Sequence, residues 1–337
     1  MPRLTRWVVL IALLLSALWG GLWLLTWRLA HNQLAAFAAR MGPDFRYQEL
    51  PAPAGSLTTV ILELTDVALR TPAGLQMTAP RLTLALTPGH WRHYALSSAA
   101  PVRLNLALPA GGALQLTAQN LQASLDLHDT RRWAGFEATL QQATLARLPD
   151  GSVLPKTLLQ TTQLFVRGAQ PAAPVAAGET GFNLTLAAQE ATLPSGLLRV
   201  LPQTVTAVTL NARLLGTPPD WRQKSQVTAW RAAGGTMELE SADFSWGRLS
   251  GRLEATLALD KHLQPEGAGT AQLFLDTTTG KDDHDSNSML KNIFGLFAKT
   301  DAQGMRSVTL PLALQERQLV LGIFPLTTMP EIVWRAE

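Results

Sequence analysis

Apolar residues along most of this chain recur at every second position. TVILELTDVALR (59–70), VRLNLALP (102–109), FNLTLAAQ (182–189), TAVTLNARLLG (206–216), RLEATLALD (252–260), AQLFLD (271–276) and SVTLPLALQ (307–315) all alternate, and Pro, Gly, Asn and Asp punctuate them. Strand side chains point to opposite faces in turn, so this pattern predicts strands with one apolar and one wet face. Alternation of that kind belongs to antiparallel meanders, whereas a parallel α/β core gives continuous apolar runs. The polar positions are largely Thr, Gln, Ser and Asn, which suit a sheet surface.

The alternation slips by one residue at recurring places. In GALQLTAQNLQASLDL, Leu114, Leu116 and Ala118 hold even positions, then Leu121, Ala123, Leu125 and Leu127 hold odd ones. GLQMTAPRLTLAL changes phase at Ala79-Pro80, and GGTMELESADFSWGRL between Leu239 and Phe244. A one-residue slip turns an apolar row over. Either a bulge or corner sits at Gln119-Asn120, or two strands meet there. Repetition of the figure at irregular spacing argues for one β-unit used several times.

The N-terminus has a different period. Trp7 to Trp27 (WVVLIALLLSALWGGLWLLTW) carries no charge, and such a helix spans roughly the 30 Å hydrocarbon core of a bilayer. Trp7 and Trp27 are expected at the membrane–water boundaries. Leu29, Leu34, Phe37 and Met41 continue on one helical face until Gly42-Pro43. Arginines flank the apolar run on both sides, and the short basic tail favours an inward N-terminus. The organisation expected is therefore a cytoplasmic tail (1–6), a transmembrane helix (7–27) and an amphipathic helix (28–42). A first β half (43–167), a loop or linker (168–181) and a second β half (182–337) follow. A short amphipathic helix near 288–299 is expected to plug the open end of a sheet or to act as a lid. The fold class is mainly β: one transmembrane helix, then a large antiparallel, strongly curved sheet or sandwich-like domain with few short helices.

Composition sharpens this. Hydrophobic residues make 47% of the 337 and charged ones 16%, with a formal net charge of +3 and no cysteine. That excludes disulfides and cysteine-based catalysis or metal binding. Arginines are scattered without a cluster interleaved with aromatics, so a nucleic-acid partner is not expected. No HExxH, GxSxG or phosphate-binding loop occurs. His90 and His93 are spaced as two metal ligands could be, although an exposed turn beside Trp91 accounts for them. Asp282-Asp283-His284-Asp285 begins like a calcium loop, but Ser288 stands at the sixth position and Phe294 at the twelfth, so the pattern fails. No catalytic residue, cofactor or metal site is assigned.

The stretch from Trp230 to Gly267 carries a resemblance. Trp230, Gly234-Gly235, Trp246-Gly247, the strand end Leu257–Asp260 and Pro265–Gly267 are similar to the pattern of domain of unknown function 2125, an uncharacterised alphaproteobacterial envelope family. The N-terminal helices and the closing hairpin LPLALQERQLVLGIFPLTTMP match as well, with Gln315-Glu316-Arg317 at the turn where an Asp-Gly type is usual. More distantly, the repeated units resemble AsmA-type envelope proteins. These likenesses imply a membrane-anchored, β-rich envelope protein and carry over no activity.

Apolar rows must be covered, at roughly 25 cal/mol per Å² left in water. A second sheet would make a closed sandwich; a curved sheet would leave a trough for acyl chains. The leading expectation is a non-enzymatic protein of the bacterial inner membrane, single-pass with its bulk in the periplasm, that holds phospholipid or another acyl-chain ligand. Leu82, Leu84, Leu86, Leu121, Leu125 and Leu127 would line the trough. A non-catalytic scaffold is the alternative, and an enzyme the third.

Overall fold

The computed structural model describes residues 2–49, 54–56, 58–71, 74–107, 112–129, 133–148, 156–193, 203–221, 223–276, 294–295, 298–300, 305–329, 331–332 and 334, with side chains in the first helix from Leu14 onward. That helix, α1 (Pro2–Met41), is a single element of 40 residues. It runs unbroken from the apolar run into the amphipathic segment and ends at the 3₁₀ turn Gly42–Asp44. Among the described residues no helix is long and apolar enough to cross a membrane. Trp7 lies outside the described side chains.

The other described residues are organised around one sheet of 19 described strands, and each of its pairings is antiparallel. β1 (Phe45–Glu49) and β2 (Ala54–Ser56) lie end to end along β3 (Thr59–Arg70). β4 (Leu75–Leu86) follows, then β5 (His93–Ser98) in line with β6 (Val102–Ala107). Next come β7 (Ala113–Ala118) and β8 (Asn120–Leu127), again in line, against β9 (Trp133–Leu148). β10 (Lys156–Ala169), β11 (Thr180–Thr192), β12 (Thr204–Leu215), β13 (Met237–Trp246), β14 (Leu249–Leu259) and β15 (Pro265–Asp276) continue the meander. The helix α2 (Lys224–Ala232) interrupts it between β12 and β13. β16 (Lys299–Thr300) and β17 (Met305–Gln315) follow; β16 and β18 (Gln318–Leu321) pair with β17, and β19 (Phe324–Thr328) forms the last edge. The described strands thus make one sheet, with no second sheet among them. Of residues 168–181, expected as a loop or linker between two halves, 170–179 join the neighbouring strands β10 and β11 and the rest belong to those strands.

The phase slips find their cause here. β7 and β8 keep one register against β9 on either side of Gln119, and β9 itself kinks there, Gln142 taking φ +49°. Flanking pairs set Asp66 (φ +52°) opposite Pro80, and Glu190 (φ +49°) opposite Thr162. A crease therefore crosses β3 to β11, each strand rolling by one residue so that the same side of the sheet stays apolar. Along its inner side run small buried residues: Val67, Ala79, Val102, Ala118, Ala143, Thr161, Ala191 and Val205, all at most 5% exposed. Carbonyls freed by the broken ladder are taken up by the buried hydroxyls of Ser98, which donates to Arg81 O at 2.7 Å, and Thr161, which donates to Gln163 O at 2.9 Å. In β13 the slip is a bulge at Glu240–Ser241, opposite Glu254.

The C-terminal part of α1 lies on the apolar side of β3–β5. Trp23 Nε1 donates to Ser56 O at 2.9 Å and Thr59 O at 3.3 Å, and Tyr94 Oη donates to Gln33 Oε1 at 2.9 Å. Ala30 is buried among Leu62 and Leu86 with Trp27, Leu34, Leu84 and Tyr94 around them. Burial there raises the Tyr94 phenol above its ordinary pKa. At the other end Phe294 is buried among Leu249, Ala271, Leu273, Val308, Leu310 and Leu321, and Arg306 Nη2 donates to its carbonyl. Most of the helix expected near 288–299 lies outside the described residues.

The hairpin turn between β17 and β18 is made by Glu316 and Arg317, both with positive φ (47° and 65°). Two such residues define the turn type that Asn-Gly adopts without strain. The double change Glu316→Asn, Arg317→Gly is expected to stabilise the chain by about 1 kcal/mol. A rise of the thermal midpoint by roughly 2 °C checks it; a fall would refute the turn assignment.

Candidate functional site

Tracing directly opposed residues from strand to strand exposes the organisation of the apolar side. One row reads Leu62, Leu84, Leu96, Ala123, Ala138, Val166, Leu186, Leu210, Ala242, Leu253, Ala271, Leu310. A parallel row reads Val60, Leu86, Tyr94, Leu125, Phe136, Gly168, Leu184, Ala212, Leu239, Ala255, Gly269, Leu312. Neither holds a charge. The row one residue along from the first lies on the opposite face and is mainly polar: Glu63, Thr83, Ser97, Gln122 and Thr139 lead, after Phe165 and Ala187, to Thr209, Asp243, Arg252, Gln272 and Thr309. Cross-strand bonds secure that wet face: Arg213 bridges Glu238 and Glu240, and Asn211 accepts from Thr185 and donates to Ser241.

Cover on the apolar side is uneven. α1 shields it at β3–β5 and Phe294 at β14–β18. Between these ends, from β8 to β13, Leu125, Phe136, Ala138, Val166, Leu184, Leu186, Leu210 and Leu239 are all only half-buried. At ~4.8 Å per strand this stretch is roughly 24 Å long, more than the half-thickness of a 30 Å hydrocarbon core that one acyl chain occupies. Two rings lean over glycines on the apolar side. A Cβ on Gly168 would come within 2.4 Å of the Phe136 ring, and one on Gly251 within 2.7 Å of Phe244. Trp133 joins Phe136 and Phe182, with ring centroids 5.7 and 5.8 Å apart. The result is a long apolar stretch of one sheet face with an aromatic margin.

The expected lining residues share this side but differ in cover. Leu82 packs with Leu64, Val67, Ala79 and Val102, while Leu84 and Leu86 lie beneath α1. Leu121 is half-buried at the crease, and Leu125 and Leu127 oppose Phe136 and Trp133 in the uncovered stretch. Trp27, expected at a membrane boundary, packs against the sheet and stacks on His31. The six leave out the middle of the apolar stretch, where Leu184, Leu186, Val208 and Leu210 stand on β11 and β12. Alternation marked their strands, but nothing local says which side of a strand will be left uncovered.

Away from the apolar rows, His93 Nδ1 lies 2.7 Å from Asp126 Oδ1 on the polar side, and His90 caps the turn by donating its amide to Thr87 O. Among the described residues no three His, Asp or Glu side chains converge as metal ligands do. The loop 282–287 lies outside the described residues. The Trp230–Gly267 stretch has a structural reading. Trp230 is buried, donates from Nε1 to Leu215 O at 2.9 Å, and meets Trp221 edge-on. A Cβ on Gly235 would stand 2.1 Å from the Trp230 ring, so the ring requires glycine there. Gly247, at φ +59°, makes the tight turn between β13 and β14.

No curated protein and no solved structure matches the chain. The family model described as an uncharacterised protein conserved in bacteria, DUF2125, matches residues 23–330, from the helix residue that bonds to the sheet through to the end of β19. The chain therefore belongs to the DUF2125 family.

Proposed function

We propose that this protein is anchored in the bacterial inner membrane by α1 and holds acyl-chain lipid in its apolar trough, with its bulk on the periplasmic side. The observation that carries the reading is the uninterrupted pair of apolar rows, whose large side chains are only half-buried from β8 to β13 and which pack against α1 at one end and Phe294 at the other. Large exposed apolar surfaces are uncommon on monomers and mark a binding surface. The charge-free run that leads up to Trp23 supports the anchor, as do Leu14, Leu15 and Leu18, which are 55–66% exposed on α1. With no charge on the trough rows, the hydrocarbon is recognised and the headgroup stays outside.

A photo-cross-linking amino acid placed singly in the full chain in cells tests this. Substitution at Leu186 or Leu210 is expected to yield a phospholipid adduct, detected by radiolabelled phosphate, while Thr185 and Thr209 on the opposite face yield none. Equal labelling of both faces, or none on either, would refute the lipid reading.

A further inference from the structure

We infer that the phosphate of the bound lipid rests on Arg147 and Lys156, at the strand ends opposite those from which α1 emerges. This rests on the lipid reading and adds to it the place of the headgroup. The helix passes from the β2–β3 turn, where Trp23 bonds to Ser56 and Thr59, to the other strand ends, where Phe37 meets Phe45. Between the crease and those far ends two more rows cross the sheet. The inner one reads Met77, Leu104, Leu116, Leu145, Leu159 and is wholly apolar. Met77 and Leu116 pack on the buried residues of the crease, which fixes this row on the apolar side. The outer row begins Leu75, Leu106, Leu114 and finishes in Arg147 and Lys156, both exposed and directly opposed across β9 and β10. The leucines of the apolar side thus give way, at its far margin, to two cations.

Their opposition is exceptional. Every other directly opposed pair of Lys, Arg, Asp or Glu among the described strands joins unlike charges: Glu137 with Arg167, Arg213 with Glu238, and Asp243 with Arg252. Like charges set this way repel. Neither Arg147 nor Lys156 has an ionic partner among the described residues. An anion between them removes the repulsion, and a phosphate accepts hydrogen bonds from a guanidinium fork and an ammonium together. The two margins differ in the same sense. At the far strand ends Arg46, Arg70, Arg103 and Arg248 accompany the pair against Asp44 and Asp276, whereas the α1 margin carries Asp126, Glu179, Asp220 and Asp260. Reach is sufficient as well. Lys156 to half-buried Leu164 is roughly 26 Å of extended strand, shortened by the crease, against about 21 Å for one leaflet with its headgroups.

The full chain, reconstituted in vesicles of phosphatidylcholine and phosphatidylglycerol, tests this with phosphatidylglycerol photoreactive either in its headgroup or at its acyl terminus. Adducts are mapped by peptide mass spectrometry. The headgroup probe is expected to label residues 144–159, and the acyl probe Leu186 or Leu210. Lys156→Glu replaces the repulsion by an ion pair, so the fold is kept, and the ratio of headgroup to acyl adducts is expected to fall about tenfold; Lys156→Arg retains it. Headgroup adducts at the α1 margin, or a ratio unchanged by Lys156→Glu, would overturn the inference while the acyl adducts leave the lipid reading standing. Retention of radiolabelled inorganic phosphate by the chain, without headgroup adducts at 144–159, would give the pair to free phosphate and overturn it likewise. If neither probe labels the chain, the lipid reading falls and the inference with it.

Discussion

The double change Leu186→Gln, Leu210→Gln is expected to lower phospholipid cross-linking from a probe at Val166 by at least about 30-fold. The two leucines oppose each other across β11 and β12, and Val166 opposes Leu186 across β10 and β11, so all three stand in one row of the uncovered stretch. Exchanging two half-buried leucines for amides removes roughly 2–3 kcal/mol of hydrocarbon contact, and unpaired amides facing an acyl chain add to that loss. Because both residues keep contact with water, the fold is expected to lose no more than about 2 kcal/mol. An unchanged adduct yield in a folded variant would mean that lipid does not follow these rows. Loss of the far-ultraviolet strand signal would mean that the uncovered stretch carries the core.

The largest effect on stability is expected at Gly269. Its position on the apolar side of β15 brings an added Cβ to 2.0 Å from Glu254 O and 2.7 Å from Ala255 Cα, both on β14. The obstacle is backbone, so no rotamer change relieves it, and the β14–β15 ladder has to open. Gly269→Val is expected to cost about 3 kcal/mol or more, read from the denaturation midpoint. Gly168→Ala meets the Phe136 ring instead, a side chain that can be removed. Its cost is therefore expected to be recovered largely by adding Phe136→Ala, whereas no truncation near β14 rescues Gly269→Val. Gly20→Ala in α1, with nothing within 4 Å, serves as the harmless comparison. A tolerated valine at 269 would show that β14 and β15 are not packed this closely.

Particular residues show what could be read in advance. The phase slips at Ala79-Pro80, Gln119 and Glu240–Ser241 were visible because strand side chains alternate strictly, and each proved to be a kink or bulge. The family resemblance was legible because Trp230 and Gly235 are locked together by contact over a short sequence distance. What stayed hidden depends on partners far away in sequence. Nothing near Leu82 or Leu86 announces that one will pack into the crease and the other beneath α1, and nothing near Leu186 or Leu210 announces that they will be left half-bare.

The sequence by itself determined that this is a mainly β, antiparallel chain behind an apolar helix, since period and punctuation are local properties of the backbone. Only the tertiary structure decided that the strands form one sheet, that the slips align into a crease, and which stretch of the apolar side is covered. Those outcomes depend on register between strands and on where α1 and Phe294 come to rest, and both are set by contacts that alternation does not encode.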